Sequence, residues 1–168
     1  VRLSLLRAGR ETDRVESYFG LRTFAVQPDE NGTPYFLLNG RPYFQKGLLD
    51  QGYWPDGLYT APSDEALIYD IQTMKNLGFN MIRKHVKVET ARWYYHCDRL
   101  GMIVWQDMVN GGTYNAPFMT WLPALFPKFK LHTSDRIHPL FGRKNVHGRE
   151  EFIRECKDTV TALKAFPC

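Results

Sequence analysis

The strongest constraint on this chain is a unit that occurs twice between Leu77 and Asp107. Leu77-Gly78 leads into the apolar run Phe79-Asn80-Met81-Ile82 and then Arg83-Lys84-His85; Leu100-Gly101 leads into Met102-Ile103-Val104-Trp105 and then Gln106-Asp107. Between the two runs, Trp93, Tyr94, Cys97 and Leu100 fall on one face of a helix expected over Glu89 to Leu100. A helix closed by glycine and followed by a short apolar strand is the pattern of a parallel βα repeat, whose strands are covered on both faces. Each strand stops at charged or amide side chains. In parallel α/β folds the carboxyl ends of the strands face the ligand, so these stops mark where function is expected.

The same pattern extends in both directions. Tyr35 to Leu38, Asn39-Gly40 and Arg41 to Phe44 read as a hairpin on an Asn-Gly turn. Its second arm continues through Gly47-Leu48-Leu49 to Asp50-Gln51, which makes it a first parallel strand. Ser63 is placed to cap a helix, with Asp64 and Glu65 at its positive end, Leu67, Ile71, Met74 and Leu77 on its apolar face and Gly78 as its stop. A third helix is expected over Arg149 to Leu163, with Phe152, Cys156 and Leu163 on one side. Upstream, Val1 to Leu6 and Val15 to Val26 alternate as two strands around an Ala8-Gly9-Arg10 turn, and Gln27 to Gly32 is a polar linker. An isolated hairpin is marginal in water, so residues 1–28 read as the tail of a β-sandwich domain. Residues 29–168 then hold three βα units, too few to close a parallel barrel. Apolar strand faces left uncovered favour self-association, so a homo-oligomer is the expected state of the isolated piece.

The net charge of +4 is local: six Lys/Arg (Lys128, Lys130, Arg136, Arg143, Lys144, Arg149) stand against the single Asp135 between residues 125 and 149. No nucleic-acid-binding motif accompanies them, so no nucleic-acid partner is expected. No apolar run reaches membrane length and no membrane partner is expected. Cys97, Cys156 and Cys168 lack CxxC spacing and read as free thiols. Ser-His-Asp order, a glycine-rich phosphate loop and a dinucleotide fingerprint are absent from the sequence, and neither a cofactor nor a metal is expected.

The candidate site therefore comes from strand ends: Asp50 and Gln51, Arg83 and His85, and Asp107, expected on one side of the sheet. Side chains alternate along a strand, so Arg83 and His85 share a face and Lys84 takes the other; Lys84 and Lys87 read as ion pairs that hold the rim. A guanidinium, an imidazole and a carboxylate converging on one rim suit a polyhydroxylated ligand. Tyr53, Trp54 and Asp56 in the loop after Gln51 add aromatic faces on which a pyranose can stack.

Asn39-Gly40-Arg41-Pro42-Tyr43-Phe44-Gln45-Lys46-Gly47, then Asp70 to His85, then Trp93 to Asp107, in that order, resemble glycoside hydrolase family 2, the β-galactosidase, β-glucuronidase and β-mannosidase group. Asp13 to Arg22 resembles the last strands of that family's immunoglobulin-like domain. The resemblance implies an α/β fold: the first three βα units of a (β/α)8 TIM barrel, preceded by a remnant of an immunoglobulin-like β-sandwich. It implies a retaining β-glycosidase acting on a carbohydrate substrate through two Glu residues, on the fourth and seventh strands, both expected beyond Cys168. Arg83, His85 and Asp107 carry over as framing of the substrate pocket. Asp50-Gln51 stand where better-known β-galactosidases have Asn-Arg-His, a departure from the galactose pattern. The competing reading is a non-catalytic carbohydrate-binding or interaction module, resting on the aromatic loop 52–60 and the basic segment 125–149.

Overall fold

The computed structural model describes residues 1–111, 121–126, 128 and 143–168. The chain divides into two compact units, Val1–Asp107 with Ala162–Cys168, and Met108–Thr161.

The first unit opens with an antiparallel pair, β1 (Arg2–Arg7) and β2 (Arg10–Glu16). Ala8 and Gly9 between them have φ of 51° and 74°, the twist a two-residue hairpin turn needs. β2 ends at Glu16, which corrects the expectation of one strand from Val15 to Val26. The cause is docking: the Tyr18 hydroxyl donates to Asp98 at 2.6 Å, the Arg22 guanidinium donates to the Pro167 carbonyl, and Gly20 lies so close to the Pro167 ring that a Cβ would overlap it. Residues Phe24–Pro28 form β3, which pairs with β4 (Pro34–Leu38) across the junction between residues 28 and 29. β4 turns through Asn39 and Gly40, at φ of 51° and 73°, into β5 (Arg41–Pro42). The Asn-Gly turn is where the sequence places it.

A three-stranded parallel sheet follows, in the order β6 (Gly47–Asp50), β7 (Met81–Lys84), β8 (Ile103–Gln106). Helix α1 (Asp64–Asn76) connects β6 to β7 and α2 (Ala91–Leu100) connects β7 to β8. Ser63 Oγ accepts the Ala66 N–H at 3.2 Å, and Gly78 and Gly101 take φ of 89° and 69° just past the two helices, where a Cβ would be strained. Leu77 lies in the C-cap of α1 and is exposed, which corrects its place on the apolar face. Asn80, the polar interruption of an apolar run, accepts the Lys46 N–H at 2.7 Å and donates to the Phe44 carbonyl at 3.0 Å. It ties the entry of β7 to the entry of β6.

The core lies between the sheet and the helices: Leu67 and Ile71 of α1, Ile82 of β7, Trp93, Tyr94 and Cys97 of α2, and Met102. Each large apolar side chain taken from water there contributes about 1.5–3 kcal/mol. On the opposite face of the same strands, Leu49 and Trp105 are exposed.

In the second unit, Leu122–Leu125 make one turn of helix, α3, and α4 (Val146–Leu163) starts three residues earlier than Arg149, where the periodicity places it; its last two residues belong to the first unit. No residue of α4 is fully buried, but Phe152, Cys156 and Leu163 are half-buried, and Leu163 packs against the core of the first unit. Arg143 donates to the Gly148 carbonyl, and Arg149 donates to the carbonyls of Arg143 and Lys144. Two charges of the basic segment thus serve their own turn; Lys130, Asp135 and Arg136 lie outside the described residues.

Candidate functional site

The register of the parallel sheet decides which side chains meet. Leu49, Arg83 and Trp105 are aligned, and Asp50, Lys84 and Gln106 form the next row. Successive rows point to opposite faces. The ladder continues one residue further, since His85 N–H donates to the Asp50 carbonyl at 2.9 Å and Asp107 N–H to the Lys84 carbonyl at 3.1 Å. Gln51, His85 and Asp107 therefore stand at the strand ends on the face that Arg83 shares.

On that face Arg83 and Asp107 form a bidentate pair: Nε donates to Oδ1 and Nη2 to Oδ2, both at 3.0 Å. The Arg83 hydrogen bond is the main cause that holds the Asp107 carboxyl below its ordinary range, helped by the Val86 backbone N–H and the nearby His85. The same bond raises the Arg83 guanidinium. Gln51 Nε2 lies 3.4 Å from His85 Nδ1. The result is an exposed set of donors and acceptors with one carboxylate kept ionised, at the common end of three parallel strands. Such a set binds hydroxyl groups by pairing each with a fixed partner.

On the other face the same strand ends build a different object. Lys84, at 1% exposure, reaches Asp50 Oδ2 and Glu89 Oε1, each at 2.8 Å, and its ammonium lies 4.6 Å from the centre of the Trp93 ring. Lys87 reaches the same Glu89 oxygen at 2.7 Å. Tyr94 OH accepts the Glu89 N–H at 3.1 Å and donates to Gln106 Oε1 at 2.5 Å, while Gln106 Nε2 donates to the carbonyls of Lys87 and Asp107. Burial pushes the Tyr94 phenol above its ordinary range, so it stays a neutral donor. Two ammonium and two carboxylate groups balance one another, the condition under which buried charge persists.

Of the predicted residues, the structure brings Arg83, His85, Gln51 and Asp107 together. Asp50 is not with them: its carboxylate turns to the helix side, where it accepts from Lys84 and from the Gly52 N–H at 2.8 Å. That corrects the expectation of a single face for Asp50, Arg83 and Asp107. Lys84 and Lys87 are ion-paired as expected. Tyr53 is exposed and its hydroxyl lies 3.4 Å from that of Tyr59, with the ring centres 5.1 Å apart. Trp54 is half-buried against the core, and Asp56 is exposed in the turn between them. Sequence reasoning missed Glu89, Tyr59 and the amide bridge of Gln106. The available signal was two lysines and a glutamate within six residues of a strand end, more charge than one exposed loop needs.

No family model matches the chain. Among curated proteins it is similar to a β-galactosidase of Lactococcus lactis, 27% identical over 141 residues that cover 79% of this chain and 13% of that protein. Among solved structures it resembles β-glucuronidase 3 of Bacteroides uniformis, with a TM-score of 0.67 and 17% identity over 99% of this chain and 17% of that one. The β-glucuronidase of Bifidobacterium dentium, complexed with coumarin-3-O-glucuronide, gives a TM-score of 0.67 at 20% identity over 99% and 22% of the two chains. A family 2 β-galacturonidase from Eisenbergiella tayi bound to galacturonate gives 0.64 at 21% identity over 92% and 22%. The resemblance to glycoside hydrolase family 2 thus holds in sequence and in α/β fold, over a span of about an eighth of the curated relative's length.

Proposed function

We propose that these 168 residues are a segment of a retaining β-glycosidase, comprising the end of an immunoglobulin-like domain (1–28) and the first three βα units of a TIM barrel (29–168). The two catalytic Glu residues belong to parts of the parent protein outside this sequence. One, protonated, gives its proton to the glycosidic oxygen as the other attacks the anomeric carbon; water then breaks the glycosyl ester, with the first acting as base. The two carboxyls stand ~5–5.5 Å apart in such enzymes.

The segment supplies one wall of the sugar pocket. Asp107, kept ionised by Arg83, accepts from a sugar hydroxyl; His85 and Gln51 offer further polar contacts; Tyr53 offers a ring face, with Trp54 and Asp56 shaping its loop. Asp50 holds Lys84 and does not touch substrate. The observation that carries this reading is the bidentate Arg83–Asp107 pair beside Gln51 and His85 at one end of three parallel strands. The test is hydrolysis of aryl β-glycosides. Turnover by the longer gene product and none by the 168-residue chain is expected; turnover by the chain alone overturns it. A longer gene product that binds oligosaccharides in calorimetry but hydrolyses none would instead favour the binding-module reading. Leu3, Leu5, Leu49 and Trp105 are exposed, so the isolated chain is expected to sediment as an oligomer.

A further inference from the structure

The loop from Gly52 to Thr60 leaves the strand end that carries Gln51, and its inner half is pinned by a lysine from a different strand end. Lys87 Nζ donates to the Gly52 carbonyl at 2.6 Å and to the Tyr59 carbonyl at 2.8 Å, while ion-paired to Glu89 at 2.7 Å. One ammonium thus grips both ends of the loop. Its third contact is a carboxylate that is itself 4% exposed and shared with Lys84. Between the grips, Trp54 and Leu58 exchange two backbone hydrogen bonds, at 2.8 and 2.9 Å, and Thr60 N–H donates to the Gly57 carbonyl at 2.9 Å. The outward result is Tyr53 and Tyr59 side by side, both exposed, their rings tilted by 58°.

Two unusual backbone conformations make this reach fit. Val86 has φ of 63°, rare for a β-branched residue, and closes a γ-turn in which Lys87 N–H donates to the His85 carbonyl at 2.6 Å. That turn reverses the chain after the rim and sends Lys87 back under the loop. Facing it, Gly52 has φ of 64°, and a Cβ there would overlap Glu89 and Lys84. Strain of this kind persists where surrounding contacts over-determine it, and it concentrates at ligand sites. The charge cluster that holds the strand ends thus reaches, through Lys87, both ends of an exposed aromatic loop.

We infer that Lys87 is a positioning residue, which fixes loop 52–60 so that Tyr53 and Tyr59 form a stacking platform for a pyranose ring of the substrate. This rests on the β-glycosidase reading and adds to it a residue that never touches sugar and a second tyrosine that does. Stacking requires the rings to be fixed before the sugar arrives, because a loop that must be ordered on binding costs affinity.

The experiment uses the longer gene product, an aryl β-glycoside and three variants. Lys87→Met, which keeps the apolar stem, is expected to raise KM about tenfold with kcat within about threefold, as lost ground-state positioning does. Lys87→Arg is expected to restore KM to within about threefold, since a guanidinium can still bond both carbonyls. Tyr59→Ala, an exposed side chain whose loss leaves the carbonyl grip in place, is expected to raise KM without loosening the loop. Amide hydrogen exchange supplies the readout that activity does not: in Lys87→Met, residues 53–60 are expected to exchange at least about tenfold faster while α1 and α2 are unchanged. Unchanged exchange at 53–60 in Lys87→Met overturns the anchor, and an unchanged KM in Tyr59→Ala overturns the platform. Should the wild type turn over no glycoside, the β-glycosidase reading fails and the exchange comparison still judges the anchor. If Lys87→Met does not fold, Tyr59→Ala and Lys87→Arg decide between them.

Discussion

Arg83 and Lys84 are consecutive residues on one strand, each paired with aspartate at the end of a neighbouring strand, yet they have different tasks. Arg83 is 51% exposed and holds Asp107 at the open rim; Lys84 is 1% exposed and holds Asp50 and Glu89 behind the sheet. The chemistry of the two pairs is nearly the same. What separates them is the alternation of side chains and the solvent each side meets. In the open pair water screens the attraction, and such contacts add little to stability. In the closed cluster each charge was taken from water, and removing one partner strands the others. The first pair is therefore free to serve a ligand, and the second is committed to holding the fold.

The largest effect that would break this comparison belongs to Lys84. Lys84→Ala leaves the Asp50 carboxylate without its ammonium and Glu89 with Lys87 alone, and unfolding of the parent protein is expected to lose about 3–5 kcal/mol. A loss under about 1 kcal/mol, the range of an exposed pair, would put both groups in one class. Gly52→Ala comes next. It demands a left-handed residue with a Cβ against Glu89 and Lys84, and a loss of about 1–3 kcal/mol is expected. A neutral or stabilising result would show that the loop yields easily, and would weaken the packed side of the contrast.

The sequence made the parallel repeat legible because a continuously apolar run closed by glycine has few other uses. It also separated Arg83 from Lys84, since period-two alternation needs no coordinates. It did not place Asp50 correctly, because alternation within one strand says nothing about register against the next. Only the pairing of Asp50 with Lys84 and of Lys84 with Gln106 shows that these three share a face. The end of β2 was hidden for a similar reason. Residues 17–23 keep strand-like alternation, but a tertiary contact, Tyr18 with Asp98, takes them out of the ladder. Lys87 was legible as a partner of some acid, but its hold on the Gly52 and Tyr59 carbonyls was not. Main-chain acceptors leave no mark in a sequence.

Arg83→Ala sharpens the comparison from the other side. Removing an exposed partner is expected to leave the unfolding midpoint of the parent protein where it was, while kcat/KM for an aryl β-glycoside falls at least about tenfold, or about 1.4 kcal/mol of transition-state stabilisation. A kcat/KM within about threefold of wild type would show that the pair is only a rim contact.

The smallest effect is the most direct. Asp107 is held below the ordinary carboxylate pKa of about 3.9 chiefly by its hydrogen bond to Arg83. A depressed folded value means that whatever the pair adds to stability is present above the ordinary carboxylate range. That addition is lost as pH falls through the folded value, with little change at neutral pH. Carbon-13 NMR of the Asp107 carboxyl should therefore titrate below the ordinary range in the wild type and move up in Arg83→Ala. The Val86 N–H and His85 remain in that variant, so a part of the depression should remain as well. If the midpoint does not move, Arg83 is not what keeps Asp107 ionised. The open pair would then be two neighbours in solvent, and the functional half of the comparison would rest on His85 and Gln51 alone.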